Sequence, residues 1–223
     1  MTNKAVIIVA GGKGKRFGSD IPKQFLKLND LPVLMHTINK FYNYSSSIRI
    51  ILVLPFDDIN FWNDLCKEHN FTVPHKVVEG GAERFYSVKN GLQALEGIEL
   101  VAIHDGVRPL VSDGLIRKSF DSCKDYGAII PVVSVDDSMR AVSENGSIIV
   151  DRSRYRLVQT PQVFHYDQIR SAYECEYKSN FTDDASVYEN KFTSLELIEG
   201  EKTNIKITNK SDIKLAEFYL SLS

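Results

Sequence analysis

Little in this sequence is in surplus, and each shortage excludes something. Charge nearly cancels, with 27 Lys and Arg against 29 Asp and Glu for a net −2. No general field therefore draws nucleic acid or acidic lipid, and any anion site must be assembled locally. The three cysteines, Cys66, Cys123 and Cys175, lie far apart and form no C-x-x-C pair. Such a scattered, odd set fits small core residues in a reducing cytoplasm. No apolar run approaches the ~18 residues of a membrane-spanning helix. The run at residues 5–10 is shorter than a signal-peptide core, and a Gly-Lys-rich stretch stands where cleavage would be expected. The expectation is a cytoplasmic protein with neither membrane nor nucleic-acid partner.

What is present is alternation. With 223 residues, the chain favours one large domain that can bury a core without disulfides or a structural metal. Short apolar runs at residues 4–10, 49–54, 99–103, 127–133 and 203–208 read as strands. Ile50-Ile51-Leu52-Val53-Leu54 is continuously apolar, as in a parallel sheet covered on both faces. Segments of helical period lie between, near 32–44, 57–69, 84–95, 112–125, 165–174, 183–190 and 211–222. Ser112 and Ser211 are candidate N-caps, as are Thr182 or Asp183. The alternation predicts an α/β fold with a mostly parallel sheet and right-handed crossovers. Ligands in such folds sit beyond the carboxyl ends of the strands.

Residues 134–159 break the pattern. Two extended stretches flank Glu144-Asn145-Gly146-Ser147, and Asn-Gly is a hairpin signal. This hairpin is either an ordinary surface element or an arm that reaches a second copy of the chain.

The first strand runs into Gly11-Gly12-Lys13-Gly14-Lys15-Arg16-Phe17-Gly18. Glycines let backbone N–H groups approach an anion, and a following helix start adds its dipole. The dinucleotide fingerprint fails, because Phe17 stands where its third glycine belongs. The Walker A pattern fails too, with Val9 at its first glycine and Arg16 at its hydroxyl. There remains a glycine loop crowded by Lys13, Lys15, Arg16 and Lys23, which fits a polyphosphate. Arg16 can grip phosphate oxygens bidentately, and Lys23 can serve as a point charge at an α-phosphate during nucleotidyl transfer.

Weaker signals follow in order. Gly80-Gly81 can press backbone against a flat base, with Ser87 at its edge. Asp105 and Arg108 can divide the holding of a metal or ribose and a phosphate between them. His104 reads as structural rather than as a general base. Lys206, among β-branched residues of the expected last strand, is an odd choice unless it reaches a ligand phosphate.

Seven of these segments, in register over nearly the whole chain, resemble the 2-C-methyl-D-erythritol 4-phosphate cytidylyltransferases of the non-mevalonate isoprenoid pathway. They include Ala10-Gly11-Gly12-x-Gly14-x-Arg16, Pro22-Lys23-Gln24-Phe25-Leu26, Gly80-Gly81-x-x-Arg84 with Ser87-Val88, and His104-Asp105-x-x-Arg108-Pro109. Gln159-Thr160-Pro161-Gln162, Thr182-Asp183 and Asn204-Ile205-Lys206 complete the set. The resemblance implies a Rossmann-like nucleotidyltransferase fold, helices on both faces of the sheet, and a homodimer whose protruding β-hairpin arm completes the partner's site. It implies CTP bound with Mg²⁺, with Arg16, Lys23 and Lys206 in catalysis. Ala10, Gly11, Gly12, Gly14, Gly81, Ser87 and Asp105 would hold the nucleotide, with Asp105 also near the metal. Arg108, Ser138, Arg152, Thr160 and Thr182 would hold the acceptor, a sugar-alcohol phosphate, with Arg152 and Thr160 reaching across from the other subunit.

The nearest rival is a sister cytidylyltransferase using ribitol 5-phosphate. It shares the glycine loop, His-Asp and Gln-Thr-Pro-Gln, but matches residues 80–88 and 182–186 less well. A nicotinamide oxidoreductase lacks the required third glycine. A non-catalytic nucleotide-binding protein would have no evident need of Lys23, Lys206 and Arg152 together.

Overall fold

The computed structural model describes residues 3–11, 21–193 and 195–222. Its centre is an eight-stranded sheet. The parallel part runs β6 (Leu100–Asp105), β1 (Lys4–Val9), β4 (Arg49–Leu54) and β5 (Lys76–Glu79). On the other flank of β6 lies β11 (Gln162–His165), antiparallel to it. Beyond it, β7 (Ala128–Ser134) pairs antiparallel with β11 and with β10 (Arg156–Val158), and parallel with β12 (Glu196–Glu199).

The central strands are apolar throughout because both faces are covered, and their period-2 alternation divides the core in two. Val6, Ile8, Leu52 and Ala102 face α1 (Val33–Tyr44), α2 (Phe56–Glu68) and α4 (Asp113–Tyr126). Their neighbours Ala5, Ile7, Val53 and Val101 face α3 (Arg84–Gln93), α5 (Tyr166–Ala172) and α6 (Asp184–Glu189). Each fully buried Ile or Leu contributes ~1.5–3 kcal/mol. Helix α3 lies close against β1: a Cβ on Gly91 would stand 2.7 Å from Ile7 Cγ2, so even alanine would push the helix away. A third cluster joins Leu28, Val107, Ile207 and Ala216 under α7 (Lys210–Ser221). Two short strands, β2 (Lys27–Leu28) and β3 (Leu31–Pro32), pair with each other alone.

Two expectations need correction. Residues 203–208 form no strand: Ile205 N donates to Thr203 O at 2.8 Å and Ile207 N to Val107 O at 2.9 Å. The alternating isoleucines fill the α7 cluster instead of a sheet edge. Helix α7 is capped by Asn209, not Ser211; Asn209 and Asp212 form a reciprocal capping box. Ser112 does cap α4, accepting from Leu115 N at 2.9 Å, and Asp183 caps α6 in a box with Ser186.

The hairpin is β8 (Met139–Ser143) and β9 (Gly146–Val150), which among the described residues pair only with each other. Glu144 and Asn145 make its turn, and Gly146 at φ +124° takes the conformation an L side chain would resist. Val142 and Ile149 lie on one face and Ile148 on the other, yet all three are 70–82% exposed. No helix among the described residues is long and apolar enough to cross a membrane.

Candidate active site

Three adjacent parallel strands end side by side at one cavity of about 550 Å³. Strand β1 runs into Ala10 and Gly11, and Ala10 N still donates to Val53 O at 3.0 Å. Strand β4 runs into Pro55 and Phe56, and β5 into Gly80 and Gly81, where Gly80 N donates to Leu54 O at 2.8 Å. Gly81 could carry no side chain, because its Cβ would meet Tyr86 Cβ at 2.3 Å. Ser87 locks this turn: its Oγ accepts from Gly81 N at 3.1 Å and donates to Glu83 O at 3.2 Å.

The fourth wall comes from β6, whose last residue is Asp105. Lys206 Nζ stands 3.0 Å from its carboxylate, Arg108 Nε 3.1 Å and Arg84 Nε 4.0 Å. Burial alone would raise the Asp105 carboxyl, but Lys206, Arg84 and Arg108 outweigh it and hold it well below the usual carboxylate range. Asp105 is therefore ionised at every working pH. Lys23 lines the same cavity from a single 3-10 turn, Lys23–Phe25. That turn is pinned to α2 by Gln24 Nε2 donating to Asp58 Oδ2 at 3.2 Å and by the Phe25 ring against Phe61 and Trp62.

His104 is completely buried against Phe41. Its Nε2 lies 3.1 Å from Arg108 O and must carry the proton, so Nδ1 accepts from the Thr160 hydroxyl at 3.0 Å. The same hydroxyl oxygen accepts from Asp105 N at 3.1 Å. Burial pushes the imidazole down to about 4, so it is a neutral tie and no general base. Thr160 is thereby corrected as well. It is buried and its hydroxyl is committed to the end of β6 in its own chain, so it does not reach across to a neighbour's acceptor.

The rest of Gln159-Thr160-Pro161-Gln162 is also a clamp. Gln159 Nε2 donates to Glu201 O at 2.8 Å and its Oε1 accepts from Glu201 N at 3.1 Å, which holds the loop bearing Lys206. Gln162 Nε2 donates to Asp183 Oδ2 at 2.8 Å while its Oε1 accepts from Ala185 N at 2.9 Å, which fixes the start of α6. Asn204 Nδ2 donates to Thr160 O at 2.8 Å, and Arg108 Nη1 to Asn204 O at 2.9 Å. Lys206 thus projects from a braced loop, not from a strand.

The structure brings together Ala10, Gly11, Lys23, Gly81, Ser87, Asp105 and Lys206 around one cavity. Arg108 lines a second cavity of about 410 Å³ that shares Lys206 with the first and is walled by Asp136 and Lys202. Gly12, Gly14 and Arg16 lie outside the described residues. Ser138 and Arg152 are exposed beside the hairpin, with the Arg152 guanidinium donating to Asp136 O. Thr182 is exposed one residue before the α6 cap and lines neither cavity.

Sequence reasoning missed the pair behind Asp105. Arg84 grips the fully buried Asp184 with two bonds, Nη1–Oδ1 at 2.8 Å and Nη2–Oδ2 at 2.7 Å, and Tyr173 Oη donates to Oδ1 at 2.6 Å. Burial alone would lower the Arg84 guanidinium, but Asp184 and Asp105 outweigh it and raise it. The signal was an Arg and an Asp in two separate motifs, a hundred residues apart.

Comparison with known proteins agrees in sequence and shape. The family signature described as 2-C-methyl-D-erythritol 4-phosphate cytidylyltransferase matches residues 4–222. Proteins of that name from Bacteroides thetaiotaomicron and Porphyromonas gingivalis are 48% and 49% identical, covering 97% and 96% of this chain and 99% and 96% of their own. The crystal structure of 4-diphosphocytidyl-2C-methyl-D-erythritol synthase from Anaerococcus prevotii superposes with TM-score 0.82 at 29% identity, over 99% of each chain. The Thermus thermophilus 2-C-methyl-D-erythritol 4-phosphate cytidylyltransferase gives 0.79 at 30% identity, over 99% of this chain and all of that one.

Proposed function

This chain belongs to the 2-C-methyl-D-erythritol 4-phosphate cytidylyltransferase family, and from that premise we propose that it transfers CMP from CTP to 2-C-methyl-D-erythritol 4-phosphate. The products are 4-diphosphocytidyl-2-C-methyl-D-erythritol and pyrophosphate, on the route to isoprenoid precursors. The carrying observation is Asp105, ionised and ringed by Lys206, Arg108 and Arg84, at the end of a cavity that the glycine turns Ala10-Gly11 and Gly80-Gly81 also line.

The two ends of that cavity suit the two ends of CTP. Cytosine lies on Ala10, Gly11 and Gly81, with Ser87 holding the turn, and the triphosphate extends toward the cations. A phosphate oxygen of the acceptor attacks the α-phosphorus, the bond to the β-phosphate oxygen breaks, and pyrophosphate leaves. No covalent enzyme intermediate forms. Lys23, Lys206 and Arg16 offset the charge that develops on the α-phosphate and the leaving group, where fixed cations are worth most. Arg108 and Lys206 hold the acceptor's phosphate, and Asp105 orients ribose and acceptor hydroxyls.

A divalent cation fits this arrangement. Among the described residues no cluster of three metal-ligating side chains exists, while the ionised Asp105 carboxylate lines the cavity that would take the triphosphate. That is how Mg²⁺ is commonly held, by one or two carboxylates plus substrate phosphates. Asp105 would hold it together with the substrate phosphates, and it would supply charge neutralisation across them.

A homodimer accounts for the hairpin. Its apolar side chains are exposed on both faces, and Ser138 and Arg152 stand at its base. Covered by a second copy, this arm would bring Arg152 and Ser138 to the neighbour's acceptor. Location in the cytoplasm is supported by three free cysteines.

Pyrophosphate release with CTP and Mg²⁺ tests the reaction, comparing methylerythritol phosphate, ribitol 5-phosphate and no acceptor. Release with methylerythritol phosphate alone is expected. Release with ribitol 5-phosphate instead would move the chain to the sister activity. Nucleotide binding without release under any condition would make it a non-catalytic binder.

A further inference from the structure

We propose that Phe56 is the aromatic wall of the base pocket, stacking on the cytosine ring and setting CTP affinity without touching the phosphates. The inference rests on the nucleotide reading of this cavity. It adds a contact that neither the sequence motifs nor the family resemblance assigns.

An exposed aromatic by itself says little. Position singles this one out. Phe56 follows Pro55 at the end of β4, the middle of the three strands whose ends form the glycine wall. Its flanking turns are Ala10-Gly11 on one side and Gly80-Gly81 on the other, and an added Cβ on Gly11 would lie 4.0 Å from the Pro55 ring. The turns on this wall are Ala10-Gly11, Pro55 and Gly80-Gly81-Ala82, so a flat base can meet backbone on one face. Phe56 is the large apolar side chain that can meet the other.

The ring is also free to do so. It is 70% exposed, the highest value for any aromatic among the described residues. Other exposed rings such as Phe61, Tyr86 and Phe218 each lie against a second ring, whereas no described ring lies against Phe56. Its backbone is fixed, as the first residue of α2 behind Pro55 at φ −55° and ψ 146°, with Asp58 N donating to Pro55 O at 3.0 Å. An aromatic held on a rigid helix start loses little freedom on binding. Stacking tolerates any base, so Phe56 supplies affinity while backbone groups at the pyrimidine edge supply selectivity.

Steady-state pyrophosphate release by the full chain tests this with Phe56→Ala and Phe56→Trp. The KM for CTP should rise about tenfold in Phe56→Ala, equivalent to ~1.4 kcal/mol of lost stacking. The KM for methylerythritol phosphate should stay within about twofold, and Phe56→Trp should restore CTP affinity. Inorganic tripolyphosphate, which has no base, should inhibit wild type and Phe56→Ala equally. Because the side chain is mostly in solvent, the midpoint of thermal unfolding should shift by less than about 2 °C. An unchanged KM for CTP in Phe56→Ala would overturn the proposal, as would an equal weakening of tripolyphosphate. A wild-type chain inert toward CTP would overturn the nucleotide reading and this inference with it.

Discussion

The end of β6 and the hairpin β8–β9 spend their side chains in opposite ways. Around Asp105 the polar groups are tied to one another within the chain: three cations on one carboxylate, His104 fixed between Thr160 and Arg108 O, and Gln159 closing the loop that carries Lys206. Along the hairpin, Val142, Ile148 and Ile149 are apolar and exposed, and the strands pair only with each other. One region is braced within the chain, while the other presents exposed apolar side chains of the kind that mark an interaction surface. The contrast teaches where a single chain's site ends. On the proposed reading, the prebuilt region is the nucleotide half, and the acceptor half is completed at the hairpin.

Removing charge from the prebuilt half should do the most damage. Lys206→Met should lower kcat/KM by about 10²–10³-fold, the usual cost of losing one preorganised charge-stabilising group. The half-exposed lysine should leave thermal unfolding nearly unchanged. A loss below about tenfold would take Lys206 out of the reaction.

Next is the pair behind the site. Asp184→Ala removes the fully buried half of the pair, leaving the one-third-exposed Arg84 without its bidentate partner and Tyr173 Oη without its acceptor, and should cost about 2–3 kcal/mol in urea unfolding. Asp184→Asn keeps the shape and one acceptor and should cost less. If both variants unfold like wild type, the pair does not brace the site.

The hairpin should respond in the opposite sense. Ile148→Asp with Ile149→Asp charges both faces but touches no core, so thermal unfolding of the chain should barely move. Sedimentation should show monomer in place of dimer, with turnover reduced about tenfold or more as the acceptor half is lost. Unchanged mass and turnover would make the hairpin an ordinary surface element.

The smallest effect is a pH slope. His104 has a folded pKa of about 4 against about 6.5 unfolded, so between those values the unfolded chain binds the extra proton. Stability is therefore full above pH 6.5 and falls toward pH 4, by up to about 3 kcal/mol. Burial lowers His36 and His75 as well, and they share the window. His104→Asn should flatten part of the slope in chemical unfolding across this range. An unaltered slope would mean that His104 is not held neutral. Asp105, held below its ordinary value, contributes its stability throughout this window and loses it only as pH falls below about 4.

How much of this could be read from residues alone follows from burial. Strands β1, β4, β6 and β7 announce themselves because both faces are covered and the runs are apolar throughout. Strands β5, β10, β11 and β12 are three or four residues long, and charges such as Lys76, Arg156 and Glu196 sit within them. They exist because neighbours supply the ladder, which no local pattern records. The reverse error at residues 203–208 has the same root: period-2 isoleucines serve a helix-covered loop as well as a strand. The candidate site was legible where one motif carries one group, as in Lys23, Asp105 and Lys206. The Arg84–Asp184 pair was not, because the two halves meet only through the fold. Thr160 was misread because its hydroxyl, which looks available in a motif, is consumed by His104 and the Asp105 backbone.

The direct test of the divided site is complementation. Lys206→Met damages the prebuilt half and Arg152→Ala the arm, so each alone should be nearly inactive at low acceptor concentration. Mixed after denaturation and refolding, random pairing in a two-fold dimer should place both lesions in one site and leave the other intact, returning about a quarter of wild-type turnover. Activity no higher than the mean of the two parents would contradict the account and put the whole site within one chain.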